Sequence, residues 1–385
     1  MTATPGPARQ VVGIDLLRFV AAAMVLLFHL GYCAWAIPAS EQYWRTHTRY
    51  GDYAYPAIAP LAWYGWIGVE IFFVISGFVI VYSASGSAWS FARSRFLRLV
   101  PGAWICAAIS ALVFCATKEI TAAKALDLFG RAAFFAPDGP WIDSAYWTLD
   151  VEVAFYALIA VLLATGQRTR LGPALAALGG VSTIFWIARF TGTIAPGWPI
   201  GGRIEQLLLL RHGAFFAVGG LMYLVHARPA HKLYTVAIAI GLIGCLIEIV
   251  AQSASYRPIA LSNHLHQAAF APVAAWLVTV AFMGFAVRCN EWLSGVIPPP
   301  LARQIGLATY PLYLLHGAIG SVTMRIASKA GANATVALIG AFAASVATAV
   351  FVAQVAEPGL RRVVAHGIDP VAAAIGARRA LKPAA

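Results

Sequence analysis

Long apolar runs are the feature of this sequence that most constrains its fold. A hydrocarbon core about 30 Å thick is crossed by roughly 20 helical residues. Only 11% of the 385 residues are charged, whereas a soluble domain carries about 25%. The sequence therefore predicts an all-α, polytopic transmembrane helical bundle of about ten spans, in a single integral domain over residues 1–385, and excludes a soluble enzyme. The predicted spans are 16–34, 66–84, 100–117, 145–165, 171–189, 206–226, 233–251, 267–287, 304–325 and 334–355.

The basic surplus of the chain is interpreted as loop charge at the membrane surface. Lys and Arg number 27 against 15 Asp and Glu, which leaves a formal charge of +12. In polytopic proteins such residues concentrate in cytoplasmic loops near the span ends. With a cytoplasmic N-terminus, a modest majority of the basic residues falls on that side. We therefore predict that residues 1–12 and 357–385 are cytoplasmic tails, and that nucleic acid is not a partner.

Three ionisable side chains, Asp15, Arg18 and His29, lie in or beside the first run. A charge inside a bilayer costs about 2.5–3.5 kcal/mol on insertion scales, so the presence of each of these side chains requires a structural or functional explanation. Arg18 and His29 share one helix face, with about 16 Å of rise between them. Asp15 precedes Arg18 by one turn and can pair with it. For His29 alone, a structural role and a functional role are about equally good interpretations. Three ionisable side chains on one face of the helix, however, favour a functional role. The same charges argue against a signal peptide ending at Ala34-Trp35-Ala36.

Glu70 and Ser76 lie in the second run, inside the segment Gly68–Phe78. An interfacial carboxylate at the outer face and a functional carboxylate are equally good interpretations of Glu70. Ser76-Gly77 indicates a small-residue contact between helices more strongly than a nucleophile, since no base lies one turn away.

A basic cluster of Arg93, Arg95 and Arg98 precedes Pro101, where the third run begins. One interpretation is ordinary positive-inside charge. The other is a binding site for an anionic cytoplasmic ligand, because guanidinium groups bind phosphates through paired hydrogen bonds.

Further ionisable residues occur within the fourth and ninth runs. Glu152 is followed one turn later by Tyr156, which predicts a hydrogen-bonded carboxylate. His316 ends the segment Tyr310–His316, which also contains Pro311. Counting about 1.5 Å per helical residue places His29, Glu152 and His316 about 18–20 Å from the cytoplasmic face, in one layer.

The five cysteines lie in or beside apolar runs, in no pattern typical of a metal site or a disulfide framework. No metal site is expected from them.

Taken together, these motifs resemble the acyltransferase-3 family of multi-span membrane acyltransferases. The resemblance extends from residue 13 to about residue 317. Two positions depart from the family pattern, since Asp15-Leu16-Leu17-Arg18 lacks a glycine before the arginine and Glu70 replaces a more common Asp. The matching motifs are Arg18 with His29, Phe72–Phe78, Arg95 with Arg98 and Pro101, Trp147-Thr148-Leu149 with Glu152 and Tyr156, Arg211 with Phe215 and Gly219, and Tyr313–His316.

The resemblance implies an acyl-coenzyme A donor, used as a co-substrate with no permanently bound cofactor, and an essential histidine at His29. We expect O-acylation, with an acetyl or short acyl group moved to a glycan or lipid-linked sugar at a bacterial-type inner membrane. His29 is then the general base or a transient acyl carrier. Glu152 or Glu70 orients the imidazole or the acceptor. Arg18, Arg95 and Arg98 bind the donor, and His316 is an alternate base.

A proton-coupled transporter of a small solute is the alternative, because buried Glu and His residues also relay protons in transporters. The sequence lacks the inverted-repeat hydropathy and the matched broken helices that are typical of that class.

Overall fold

The structure is a computed structural model that describes residues 10–37, 53–194, 201–227 and 232–380. Within these ranges the regular secondary structure is helical, as the apolar runs predict. The longer helices are α1 Val12–Phe28, α2 Ile67–Ser83, α3 Ala88–Ala116, α4 Ala122–Ala133, α5 Trp147–Ala164, α6 Leu171–Phe190, α7 Gly213–Ala227, α8 Lys232–Ser255, α9 Ala271–Arg288, α10 Pro299–Lys329, α11 Ala334–Phe351 and α12 Glu357–Ala380.

Nine helical segments of the described chain are long and apolar enough to cross a membrane, against about ten predicted. The sixth predicted run, 206–226, accounts for the difference. A short helix, Gly201–Leu207, ends there, Leu209 adopts a positive φ of 57°, and α7 follows with only 15 residues. Although α7 is short, its first nine residues are all buried in the bundle. The prediction of one full-length span over 206–226 is therefore wrong.

Helix α3 begins earlier than predicted, at Ala88 and not at Pro101. The Ser87 hydroxyl caps its first turn by accepting a hydrogen bond from the Ser90 N–H at 3.1 Å. Pro101 lies inside the helix, where it lacks only its own N–H donor. As a result the predicted basic cluster lies on a helix that continues into the bundle, and the helix holds its side chains at fixed spacing.

The helices pack around α1, which contacts α2, α9 and α10. Helix α7 packs against α2, α6 and α8, while α3 packs against α4, α5, α10 and α12. Backbones approach closely where α2 crosses α7. A Cβ on Gly77 would overlap the Phe216 carbonyl, and one on Gly219 would overlap the Val74 carbonyl. The small-residue helix contact predicted at Ser76-Gly77 is confirmed.

Two π-helical turns interrupt the regular helices. One, His29–Cys33, follows α1, and the other, Val352–Ala356, joins α11 to α12. A π turn adds one residue to the helical repeat and is frequent at functional sites. The predicted tail beyond residue 356 begins as α12, which packs on α3. Residues 1–9 and 381–385 of the predicted tails lie outside the described residues.

Candidate active site

A cavity of about 490 Å³ opens among α1, α2, α3, α5, α10 and α12. Its size falls within the range typical of small-ligand sites. Basic residues line one part of it, and aromatic and aliphatic side chains line the rest. The lining includes Arg18, Phe72, Phe73, Ser76, Arg93, Arg95, Arg98, Thr148, Glu152, Tyr156, Tyr310, Tyr313 and Arg361.

We call Arg93, Arg95, Arg98 and Arg361 the basic mouth of the cavity. The Arg95 Nε and one terminal nitrogen of Arg98 are buried and donate no hydrogen bond to the part of the chain that the structure describes. The same Arg98 nitrogen lies 3.9 Å from a Glu357 oxygen, beyond hydrogen-bond range. Buried guanidinium donors without acceptors are costly unless an acceptor-rich ligand satisfies them. The basic mouth is therefore suited to an anionic group.

Glu152 lies on the cavity wall between two hydroxyl donors. Its Oε1 accepts hydrogen bonds from Tyr156 at 2.6 Å and from Ser76 at 2.9 Å. The hydrogen-bonded carboxylate predicted from the Glu152–Tyr156 spacing is present. Arg18 lines the same cavity. The site thus contains one oriented carboxylate near a guanidinium group.

The two predicted histidines are direct partners. His29 Nδ1 lies 2.7 Å from His316 Nε2, and their rings stack with centroids 4.9 Å apart. His316 is 1% exposed. We call these residues the histidine pair. Sequence depth alone placed both in one layer, and the packing of α1 against α10 brings them into contact.

The hydrogen bonds of the histidine pair determine which ring nitrogen carries each proton. His316 Nδ1 lies 2.7 Å from the Tyr313 carbonyl oxygen, which can only accept, so His316 Nδ1 carries the proton. In the neutral ring His316 Nε2 is then an acceptor, and His29 Nδ1 donates to it. The unprotonated nitrogen of His29 is therefore Nε2. A neutral imidazole held in this tautomer can act as a general base.

Asp143 lies next to the histidine pair, although sequence reasoning did not select it. Its Oδ1 accepts a hydrogen bond from the Ala145 N–H at 3.0 Å, and its Oδ2 packs on Gly317. Burial raises the pKa of the Asp143 carboxyl, and the nearby His316 opposes that rise. In the sequence, Asp143 before Ser144 is typical of a residue that caps a helix. That pattern does not indicate which side chains lie near Asp143 in the folded protein.

Aromatic side chains separate the cavity from the histidine pair. Phe72 and Tyr313 line the cavity and form an edge-to-face contact with ring centroids 5.5 Å apart. The Tyr313 ring lies 6.0 Å from the His316 ring, and its hydroxyl accepts a hydrogen bond from Thr148 at 3.2 Å. Because Tyr313 itself lines the cavity, one aromatic ring lies between a ligand there and the His316 imidazole.

Two predicted residues have different partners from those expected. The Asp15 carboxylate accepts a hydrogen bond from Gln10 at 2.6 Å and packs on Gly306, and among the described contacts it makes no close ion pair with Arg18. Glu70 lies beside His212 and Glu248 and is not among the residues that line the cavity. The spacing of one helical turn permits an ion pair between Asp15 and Arg18, but the Gln10 amide donates to the Asp15 carboxylate instead.

Arg189 and Arg211, which lie within the fifth and sixth predicted runs, have a partner of opposite charge. Glu205 forms ion pairs with Arg189 at 2.5 Å and with Arg211 at 3.1 Å. Arg203 pairs with Asp150 at 2.5 Å. These buried pairs explain why the bundle tolerates such residues.

A protein family described as an acyltransferase domain matches residues 11–355, nearly the whole chain. No curated protein and no solved structure matches the chain.

Proposed function

Because the chain belongs to this acyltransferase family, we propose that it moves an acetyl or other short acyl group from acyl-coenzyme A to a hydroxyl of a glycan or lipid-linked sugar. The family membership and the helical bundle make it a multi-pass membrane acyltransferase. Donor and acceptor identity are the proposed part. The observation that carries the proposal is the histidine pair, oriented as a base next to a cavity with a basic mouth.

The basic mouth is the proposed site for the donor phosphates. Arg95 and Arg98 supply the unpaired N–H groups, and guanidinium groups bind phosphate oxygens through paired hydrogen bonds. Arg18 lies further along the cavity, about 16 Å below His29 along α1. An extended thioester arm can cover that distance, provided that Phe72 and Tyr313 move aside.

The reaction then needs one base and one leaving group. His29 Nε2 removes the proton from the acceptor hydroxyl, whose oxygen attacks the thioester carbonyl carbon. The carbon–sulfur bond breaks, an ester forms, and the proton passes from His29 to the departing thiolate of coenzyme A. The His29 Nδ1–H donated to His316, and the His316 Nδ1–H donated to the Tyr313 carbonyl, hold the base in its tautomer throughout. His316 is a positioning residue in this mechanism.

Glu152 takes the orienting role in the cavity. Its carboxylate is held by Ser76 and Tyr156, so its position is fixed before any ligand enters. We assign it the amide groups of the donor arm, which enters through this cavity. Glu70, which lies beside His212 and Glu248, is not assigned this role.

Mass spectrometry of cell-envelope glycans tests this function. We expect cells with the gene to carry an acyl group that is absent from cells without it, and absent again when His29→Gln replaces the wild type. An unchanged envelope together with altered uptake of a solute would contradict the proposal and favour the transporter. Accumulation of His29→Gln in membranes at wild-type levels is the control.

A further inference from the structure

A second buried cluster of ionisable groups lies outside the catalytic cavity. It consists of Glu70 on α2, His212 immediately before α7, and Glu248 on α8, which are 5%, 6% and 3% exposed. His212 Nδ1 lies 2.8 Å from Glu248 Oε1 and 3.6 Å from Glu70 Oε2. One potential ligand atom from each residue lies within 4.8 Å of the other two. Three separate helical segments thus converge on one point.

The 2.8 Å contact satisfies His212 Nδ1 and Glu248 Oε1 as a close ion pair, but other polar atoms of the cluster have no such partner. His212 Nε2, Glu70 Oε2 and Glu248 Oε2 are buried and lack a hydrogen-bond partner within the described residues. Buried polar groups are almost always hydrogen-bonded, so three such atoms in one place need an explanation. Ligands of a common ion have this geometry, because each points at the ion and not at its neighbour.

The separations agree with the dimensions of a metal site. Tetrahedral zinc with bonds of about 2.0–2.1 Å places its ligand atoms about 3.3 Å apart. The two measured separations from His212 Nδ1, 2.8 and 3.6 Å, lie on either side of that value. A direct ion pair explains the shorter contact, but it leaves Glu70 Oε2 and Glu248 Oε2 unsatisfied.

The charge of the cluster also calls for a cation. Two carboxylates lie in an environment walled by the Phe73 and Trp147 rings, whose centroids lie 5.0 and 5.6 Å from that of His212. Arg211 is adjacent in sequence, but its guanidinium group pairs with Glu205. A protonated His212 would leave a net charge of −1 in a poorly solvated site, which is costly. With a divalent ion and a neutral histidine, the net charge of the cluster is zero.

We propose that Glu70, His212 and Glu248 bind a divalent transition-metal ion, with Zn²⁺ the best match for two carboxylate oxygens and one imidazole nitrogen. Three protein ligands leave a fourth position for water. The ion joins α2, α7 and α8. Because Phe73 contacts His212 and also lines the catalytic cavity, the ion also fixes that wall of the cavity.

Metal analysis of the purified protein tests the proposal. The protein is prepared in detergent with a histidine-free affinity tag and passed over a gel-filtration column before elemental mass spectrometry. We expect about one Zn²⁺ per chain for the wild type, and a loss of about tenfold or more for Glu248→Gln and for His212→Gln. His226→Gln, which removes an exposed histidine from α7, is the matched control and should keep its metal.

A measurement on the wild-type protein covers the case in which the variants fail to fold. Chelator-treated wild-type protein titrated with Co²⁺ should develop the visible absorption bands of a tetrahedral site, saturating at about one ion per chain. Absence of these bands, together with wild-type protein that contains no stoichiometric metal, would overturn the proposal. Metal that persists in Glu248→Gln at the wild-type level would also overturn it.

Discussion

At the scale of single residues, the partnership of His29 with His316 controls what the site can do. The two side chains are 287 positions apart in sequence and 2.7 Å apart in space. A hydrogen-bond chain from His29 through His316 to the Tyr313 carbonyl fixes both tautomers. This arrangement resembles the way in which other catalytic histidines are oriented by a group behind the ring. It makes His29 Nε2 the basic nitrogen.

Two substitutions at His316 separate positioning from packing. His316→Leu removes the acceptor for His29 Nδ1–H, so we expect kcat to fall about 10²-fold with KM nearly unchanged. His316→Gln keeps an amide oxygen that can accept this hydrogen bond, and we expect it to restore part of the rate. The measurement is a pH–rate profile of acyl transfer for the wild type and both variants. Equal losses in the two variants would show that His316 acts by packing alone.

At the scale of helices, a close backbone contact positions the cavity, and basic side chains on another helix give it affinity for anions. Helix α2 supplies lining residues to the cavity on one side and Gly77 to the contact with α7 on the other. Helix α3 continues through Pro101, so Arg95 and Arg98 lie one turn apart on a rigid element. The position of the cavity therefore depends on the α2–α7 contact, and the affinity of the basic mouth depends on α3.

The helix crossing gives a prediction about stability. In Gly219→Ala the new methyl group would overlap the Val74 carbonyl on α2, and we expect a loss of about 1–3 kcal/mol. Gly180→Ala on α6 is the matched control, because nothing lies within 4 Å of the added Cβ, and it should gain about 0.5–1 kcal/mol. Thermal unfolding in detergent compares them. A Gly219→Ala protein as stable as Gly180→Ala would contradict the observed helix crossing.

The basic mouth gives a prediction about binding. Arg95→Gln and Arg98→Gln each remove charge-assisted hydrogen bonds, worth about 1.5–3 kcal/mol, from the donor phosphates. We therefore expect coenzyme A affinity, measured by calorimetry, to fall about 10- to 100-fold for each variant. Arg170→Gln is the control, since Arg170 is exposed and lies outside the cavity lining. Unaltered affinity in Arg95→Gln and Arg98→Gln would leave these residues with a topological role only.

At the scale of the whole molecule, the basic mouth and the histidine pair lie at different depths of the bundle. Arg18 lines the cavity, and His29 lies about 16 Å further along α1. We propose that the basic mouth faces the cytoplasm, where coenzyme A is found, and that both termini lie on that side, which requires the short helix α7 to make a tenth crossing. The acceptor then reaches the histidine pair from the opposite face of the membrane. The protein would thus pass an acyl group across the bilayer.

Sealed, oriented vesicles test this route. We expect acceptor supplied only outside to be acylated by acyl-coenzyme A supplied only inside, because donor and acceptor approach His29 from opposite faces. Vesicles with His29→Gln give the background rate. If transfer requires both substrates on the cytoplasmic side, the membrane-crossing mechanism is wrong, although the family membership is unaffected.

Much of the architecture could be predicted from the sequence, because a bilayer leaves a chain few choices. Backbone polar groups in hydrocarbon must be satisfied within a helix, so apolar runs of about 20 residues predict helices directly. Most of the ten predicted runs correspond to a long helix. The same logic identified His29, Glu152 and His316 as residues that need a reason to lie in a membrane. The Glu152–Tyr156 bond is local, one helical turn, and so was visible in the sequence.

What the tertiary structure decided is which of these side chains meet. Helix periodicity fixes the face on which a residue lies, but not the helix that packs against that face. His29 meets His316 because α1 packs on α10, and Glu70 meets His212 and Glu248 because α2 packs on α7 and α7 on α8. The sequence therefore did not predict the cluster of Glu70 with His212 and Glu248. Its members come from three segments with no common motif, so only packing could bring them together.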